Sequence, residues 1–316
     1  MTDFRPFRNT DPPALCEIWR QSDPLRGCFE PLTPSLLEAT VFCKPFFDPA
    51  GLIVALDDGQ PIGFAHAGFA PNTDGSALDT SIGATCMIKV MKAQQSTGLV
   101  SQLLARSEAY LQQRGATRLY GGGNGLIAPF YLGLYGGAAV SGVLSSDALQ
   151  LEAFRAADYV ESGRKRIMHR QLAGFRPAID RDQIKLKRTM KVKYQPDPSS
   201  TTWWEACTLG LTDRFSFSAH PKQSDEHLGR AVFWDMEPLA SYWGVHARGL
   251  CELTAPVSPD RPAHLLYLIG ESMRLLAASG ATLVEVHLDA EGDPLMPILS
   301  KMGFHEVEQT VELVKG

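Results

Sequence analysis

The chemistry this chain could do is concentrated first in the run Ile88-Lys89-Val90-Met91-Lys92-Ala93-Gln94-Gln95-Ser96-Thr97-Gly98-Leu99-Val100-Ser101-Gln102-Leu103-Leu104. It reads as a short buried strand, a polar turn with one glycine, and the start of an amphipathic helix. The first amides of a helix lack intrahelical acceptors, and the helix dipole favours negative charge over them. Such a turn is a candidate cradle for a pyrophosphate. A second stretch, Gly121 to Gly142, is glycine-rich and carries Tyr131 and Tyr135 four residues apart. The two share a face if a helical turn forms there, so either phenol could give up a proton or line a pocket. A packing role in a loop folded over the core is the competing reading.

Other polar residues carry weaker signals. His66, between Phe64 and Gly68 on an expected strand, could serve as a general base or be a hydrogen-bonded sheet histidine. Lys89 and Lys92 flank the turn and could meet phosphate or lie solvated at a strand edge. Ser145-Ser146-Asp147 reads as a helix N-cap. Gly121-Gly122-Gly123-Asn124-Gly125 is not read as a dinucleotide loop, because Pro129 follows and no helical period starts.

These residues need elements to hold them. Phe4–Phe7 reads as a strand, and Asp11–Gln21 as a helix with Pro12 in its first turn. Leu52–Leu56 and Ile62–Gly68 flank Asp57-Asp58-Gly59-Gln60, a hairpin signal. Then come a strand at Met87–Met91, the turn, a helix at Leu99–Gln113, and a strand near Leu119. A helix at Asp147–Ala157 and a strand at Arg166–Arg170 follow. The order is that of an α+β domain with a central mixed sheet.

Part of this pattern recurs. Gly115-Ala116-Thr117 returns as Gly280-Ala281-Thr282, 165 residues on (280 − 115). Each follows an amphipathic helix, Leu99–Gln113 or Leu265–Ala278, and each leads into a short strand. Phe154 to Tyr159 echoes Leu299 to Phe304 at an offset of 145 (304 − 159), so the first copy carries 20 extra residues (165 − 145). Two domains are expected, at 1–175 and 185–316, with the boundary near Phe175–Asp180. Within the second, strands are expected at Met190–Tyr194, Ala231–Met236, Ala240–Val245 and Leu250–Ala255, with Pro196–Thr202 as a loop. Trp203-Trp204, Phe233-Trp234 and Tyr242-Trp243 read as one aromatic cluster of the second copy, packed in the core or between the domains.

Composition bounds the setting. A net charge of −5 from 30 basic and 35 acidic residues argues against nucleic acid as the main partner. The short run Arg164-Lys165-Arg166 reads as a solvated strand end. The six cysteines form neither a CxxC pair nor a metal-ligand spacing with histidine. No secretory leader is expected from Met1–Arg5, and no apolar run approaches the ~20 residues of a membrane helix. A cytoplasmic protein without a metal is the expectation.

The turn at residues 95–100 resembles the signature of the GNAT superfamily of acyl-CoA-dependent N-acyltransferases. That signature reads Gln or Arg, two residues, Gly, one residue, then Gly or Ala. Gln95, Gly98 and Val100 occupy those places, the first two matching and the third departing. The element order also resembles a GNAT domain, and the whole chain a tandem pair. Tyr159 and Gly303-Phe304 are similar to the pair that ends the family's last helix.

The resemblance implies acetyl-CoA as co-substrate. It assigns pantetheine-bonding backbone to Ile88 and Val90, and phosphate-binding amides to Gln95, Ser96, Thr97, Gly98, Leu99, Val100 and Ser101. The family's thiolate proton donor is a tyrosine at the place held here by Phe154 and Leu299, neither of which can donate. Tyr131, Tyr135 and His66 are therefore the catalytic candidates.

At the cradle position of the second copy stands Pro259-Asp260-Arg261-Pro262-Ala263-His264. Two of those residues are prolines without an N–H, and the glycine is missing. A degenerate second copy is thus expected. The implied activity is transfer of an acetyl or short acyl group to a primary amine, of a small molecule or a peptide, by direct attack. A non-catalytic tandem acyl-CoA-binding sensor or interaction module is the alternative. The exposed sheet edges of such domains suit a homodimer.

Overall fold

The computed structural model describes residues 2–123, 127, 130–196, 200–237 and 243–316. They form two compact units that interleave in sequence. The first comprises Met1–Lys165, Ser200–Leu211 and Glu308–Gly316; the second comprises Arg166–Ser199 and Thr212–Val307.

The first unit opens with β1 (Thr2–Pro6), α1 (Pro12–Gln21) and the short α2 (Pro34–Leu37). Pro12 starts α1 as expected, while the Asp11 carboxylate is held by both Arg5 guanidinium nitrogens at 2.7 and 2.8 Å. β2 (Leu52–Asp57) and β3 (Gln60–Pro71) meet at Asp58 and Gly59, both at positive φ (45° and 77°). That is the backbone a two-residue hairpin demands. β4 (Leu78–Val90) begins nine residues earlier than the expected Met87 (87 − 78), because the apolar run 82–90 is preceded by a pairing stretch on β3.

A 3₁₀ stretch at Lys92–Thr97 and Gly98 then lead into α3 (Leu99–Gln113). Leu99, Leu103, Ser107 and Leu111, four apart, lie buried on one face of this helix. The glycines below let it come close: a Cβ on Gly83 would stand 2.8 Å from Leu111 Cδ2, and one on Gly63 3.3 Å from Leu103 Cδ1.

β5 (Arg118–Gly121) runs parallel to β4, and β6 (Val143–Leu144) precedes α4 (Ala148–Ala156) and β7 (Val160–Gln171). Asp147 caps α4 by accepting the Gln150 amide, as the N-cap reading anticipated. The first unit's sheet is closed by the C-terminal end of the chain. β13 (His305–Lys315) pairs antiparallel with β5 at Leu313↔Gly121, Val314↔Tyr120 and Lys315↔Leu119. The segment 200–211 also belongs here: α6 (Trp203–Leu209) sets Trp204 5.1 Å from Phe46.

The second unit holds α5 (Arg181–Thr189) and β8 (Met190–Pro196), then β9 (Arg214–Pro221), β10 (Gly229–Asp235), β11 (Ala247–Thr254) and β12 (Leu283–Asp289). β8 to β11 pair antiparallel in succession, and β11 pairs parallel with β12. The long α7 (Arg261–Ala278) and the short α8 (Met296–Lys301) complete it. Phe233 stacks with Phe215 in its core at 5.8 Å.

Two expectations need correction here. Trp243–Val245 is not strand, since Gly244 takes φ +66°; residues 240–242 lie outside the described residues. The aromatic pairs do not form one cluster: Trp203-Trp204 pack on Phe46 in the first unit, and Phe233 belongs to the core of the second.

The repeat seen in sequence returns in hydrogen-bond register. β4 pairs β5 from Ile82↔Arg118 to Thr85↔Gly121, and β11 pairs β12 from Ala247↔Leu283 to Leu250↔Val286. Every residue of the second set lies 165 after its counterpart (247 − 82, 283 − 118). Gly115 and Gly280 end their helices at φ +104° and +96°. The Thr117 amide reaches Ser81 O at 2.9 Å, and the Thr282 amide reaches His246 O at 2.8 Å. At the other offset, Tyr159 N–H to Phe154 O and Phe304 N–H to Leu299 O are both 3.1 Å.

Candidate active site

β5 supports β4 only as far as Thr85, so among the described residues the far half of β4, Cys86 to Val90, has a strand neighbour on its β3 side alone. Alternation along the ladder turns the backbone groups of Ile88 and Val90 away from β3. Ile88 N–H donates to the Gln150 side-chain carbonyl, 3.3 Å away on α4. A cleft of about 280 Å³ runs along this free edge. Ile88, Lys89 and Val90 form one wall, Gln95 and Val100 the floor at the start of α3, and Ser146–Gln150 the opposite wall.

The turn itself carries Gly98 at φ +73°, with nothing within 4 Å of an added Cβ, so backbone conformation and not space demands glycine there. The first bond of α3 runs from Gln102 N–H to Gly98 O at 3.2 Å. The amides of Leu99, Val100 and Ser101 therefore stand ahead of the helical ladder. Leu99 and Val100 bury their side chains in the core, leaving only their backbone for a ligand. Ser96, Thr97 and Ser101 are exposed. Lys92 pairs with Asp23 at 3.0 Å, and hydrogen bonds from Lys92 and Gln95 hold the Asp23 carboxyl below its ordinary range.

Lys89 turns the other way. In the ladder its partner is Phe64, and its side chain enters a buried polar group that the sequence did not announce. Its Nζ lies 3.7 Å from Asp147 Oδ2, 3.8 Å from Cys28 Sγ, and 5.2 and 5.4 Å from the ring centres of Trp19 and Tyr135. Lys89 is 5% and Asp147 7% exposed. Tyr135 OH donates to Asp147 Oδ2 at 3.2 Å and accepts the Leu144 N–H at 3.0 Å. Gln150 Nε2 bonds the same carboxylate oxygen. Burial, with the Asp147 charge next, holds the Tyr135 phenol well above its ordinary value; burial pushes the Cys28 thiol up to about 11.

The other two catalytic candidates also meet. His66 Nδ1 and Tyr131 OH are 3.0 Å apart, and both residues are buried. Among the described residues His66 Nε2 has no hydrogen-bond partner, and burial pushes the imidazole down to about 3. A helical turn does form between the tyrosines, with Tyr135 N–H to Tyr131 O at 3.1 Å. Yet the phenols part company: Tyr131 stacks on Trp19 and bonds His66, whereas Tyr135 bonds Asp147 beside the cleft. Residues 124–126, 128 and 129 of the glycine-rich stretch, and so part of the dinucleotide-loop reading, lie outside the described residues.

Phe154 is fully buried against Gly121 and Tyr159 (ring centres 4.9 Å apart). In the second unit, α7 starts from Asp260 at φ −86° with Pro262 in its first turn, and no left-handed glycine precedes it. A cleft of about 660 Å³ at that helix start is lined in part by α5, whose Gln183 Nε2 bonds Ala263 O at 3.1 Å. Among the described residues, no group of three or more His, Cys, Asp or Glu could hold a metal ion. Among those residues also, no helix is long and apolar enough to cross a membrane.

Residues 13–124 match the model of the acetyltransferase (GNAT) family. This span holds β2 to β5, the cradle turn and α3. Solved structures share the fold over the whole chain. A GCN5-related N-acetyltransferase from Sphaerobacter thermophilus is 14% identical with TM-score 0.63, covering 99% of this chain and 95% of its own. A tandem GNAT protein from the clavulanic acid biosynthesis pathway is 12% identical with TM-score 0.61, covering 100% and 98%. A GCN5-related glucosamine N-acetyltransferase region of a fungal multi-domain β-N-acetylglucosaminidase is 13% identical with TM-score 0.68, covering 100% of this chain and 38% of that one. Comparison with curated protein sequences finds no match. The fold is thus the mixed α/β, GNAT-like one, with a central mixed sheet flanked by helices, and its family match supports acyl transfer in general.

Proposed function

We propose that the protein is an acyl-CoA-dependent N-acyltransferase, moving an acetyl or short acyl group to a primary amine by direct attack. The observation that carries this reading is the single cleft bounded by the free edge of β4 and the start of α3. A pantetheine arm can add to the Ile88–Val90 edge as a short strand would, while the pyrophosphate meets the amides from Gln95 to Ser101. Lys92, paired with Asp23, stands at the same turn as a further cation.

The chain is read as a tandem pair of GNAT-like domains, supported by the common 165-residue register and by the full-length likeness to a tandem GNAT protein. In this reading the second copy is degenerate, its helix start bearing prolines in place of free amides. Tyr135 is a candidate proton relay beside the cleft, and the His66–Tyr131 pair a candidate wall of an amine pocket. A cytoplasmic setting, a small-molecule or peptide amine as acceptor and a homodimer remain part of the proposal. One observation favours a second reading, a non-catalytic acyl-CoA sensor: the expected acid position holds the buried, apolar Phe154.

The test uses the full chain, because residues 313–315 pair with β5 and a cut between the predicted domains would remove that strand. Thiol release from acetyl-CoA is followed over a panel of small and peptide amines, alongside calorimetric binding of acetyl-CoA. Turnover with one amine supports the enzyme, whereas tight binding with no turnover supports the sensor. Gly98→Val, which forces a branched residue to positive φ, should weaken binding by about tenfold or more. Unchanged affinity in that variant would remove the cradle from the account.

A further inference from the structure

Buried ammonium groups are normally paired and hydrogen-bonded, because the desolvation of an unserved charge is costly. Lys89 departs from that rule. It offers three N–H donors, yet among the described residues its partners, Asp147 Oδ2 at 3.7 Å and Cys28 Sγ at 3.8 Å, are both at long range. Trp19 and Tyr135 give it aromatic faces and no lone pair. The ammonium is thus held in place by charge and by rings, with donors left over, on a residue that lines the cleft. Asp147 is fixed from several sides, by the Gln150 amide N–H and side chain and by Tyr135.

We propose that Lys89 is a catalytic residue whose ammonium takes the leaving thiolate of CoA, in the role that Phe154 cannot fill. The proposal rests on the acyl-CoA reading of the cleft. The amine nitrogen attacks the thioester carbonyl carbon and the C–N bond forms. The C–S bond breaks, with its electron pair going to sulfur. A proton passes from Lys89 Nζ to that sulfur, giving the CoA thiol. The proton lost by the attacking amine then restores the ammonium, so amine plus thioester become amide plus thiol. The charged and titratable groups about Lys89 are Asp147 at the N-cap of α4, Asp23 and Cys28 in the loop after α1, and Tyr135 in the turn before β6. Asp147 is a positioning residue, holding the ammonium at the cleft.

The role is read first without turnover. Free CoA is titrated into the full-length protein near pH 8 in buffers of different ionisation enthalpy. An ammonium beside the sulfur favours the thiolate, so wild type should release about half a proton or more on binding. Lys89→Met should bind acetyl-CoA within about threefold of wild type but release no proton with CoA, and Lys89→Arg should restore the release. If an amine substrate is in hand, Lys89→Met should also lose about 100-fold in thiol release with little change in KM. Should Lys89→Met not fold, the neutral pair Lys89→Met/Asp147→Asn takes its place, with thermal melts as the check. Proton release unchanged in a variant that still binds CoA overturns the role of Lys89 and leaves the cleft standing. Failure of wild type to bind CoA at all overturns both.

Discussion

The side-chain carbonyl of Gln150 accepts the backbone N–H of Ile88 at 3.3 Å, on the edge of β4 that no strand occupies. On the proposed reading Gln150 sits where a pantetheine arm would take its hydrogen bond, and an incoming acyl-CoA would displace it. Removing a competing hydrogen bond of about 1 kcal/mol frees that donor for the ligand. Gln150→Ala should lower the acetyl-CoA dissociation constant by about threefold to tenfold in calorimetry. A higher constant would mean that the glutamine helps to hold the ligand.

The approach of α3 to the sheet rests on glycine. A Cβ at Gly83 would lie 2.8 Å from Leu111 Cδ2 and 3.2 Å from Leu111 Cγ. Gly83→Val should cost about 1–3 kcal/mol through overpacking, read as a lower midpoint in urea unfolding. A midpoint equal to wild type would contradict this packing.

From Glu308 onward the last strand belongs structurally to the first unit. Val311 and Leu313 are buried, and Leu313, Val314 and Lys315 form the ladder with β5. Deleting residues 308–316 should abolish acetyl-CoA binding and broaden or split the urea transition. A truncated chain that binds with native affinity would show that β5 needs no such partner.

Two buried groups set separate acid limits on stability. The His66 imidazole is lowered by burial from 6.5 to about 3, so the unfolded chain binds its proton first. Stability from this source is complete above about pH 6.5 and is lost as pH falls from there toward 3. Glu285, desolvated but outweighed by hydrogen bonds from His169 and His287, is lowered from 4.5 to about 2. Its contribution is complete above about pH 4.5 and lost as pH falls toward 2. His66→Gln should flatten the first window and Glu285→Gln the second, in chemical denaturation across pH. A Glu285→Gln profile still sloping as wild type does between pH 4.5 and 2 would rule out that carboxylate as the source.

What the sequence disclosed was local or periodic. The Asp-Gly hairpin, the α3 stripe and the 165-residue repeat each follow from turn chemistry or helical spacing over a short window. The glycine turn ahead of α3 was legible for the same reason. The meeting of Lys89 with Asp147, and of His66 with Tyr131, was not, since both join residues far apart through a loop whose path no period announces. A faint signal was present: Lys89 is a charged residue inside the apolar run Cys86–Val90, and such a residue must find a partner or a ligand. β9 was not among the expected strands, although Phe215, Phe217 and Ala219 alternate with Ser216, Ser218 and His220 at the two-residue period of a strand. β13 supplies the first unit's sheet from the far end of the chain, a relation that sequence periodicity does not encode.

The central claim is that acyl-CoA lies along the β4 edge and over the α3 start of the first unit. Amide hydrogen exchange of the full-length protein, with and without acetyl-CoA, addresses it most directly. Slowed exchange at Ile88–Val90 and at Gln95–Ser101, with Asp260–Leu265 unchanged, is the predicted result. Protection confined to Asp260–Leu265, or absent from the β4 edge while acetyl-CoA is bound, would contradict the account.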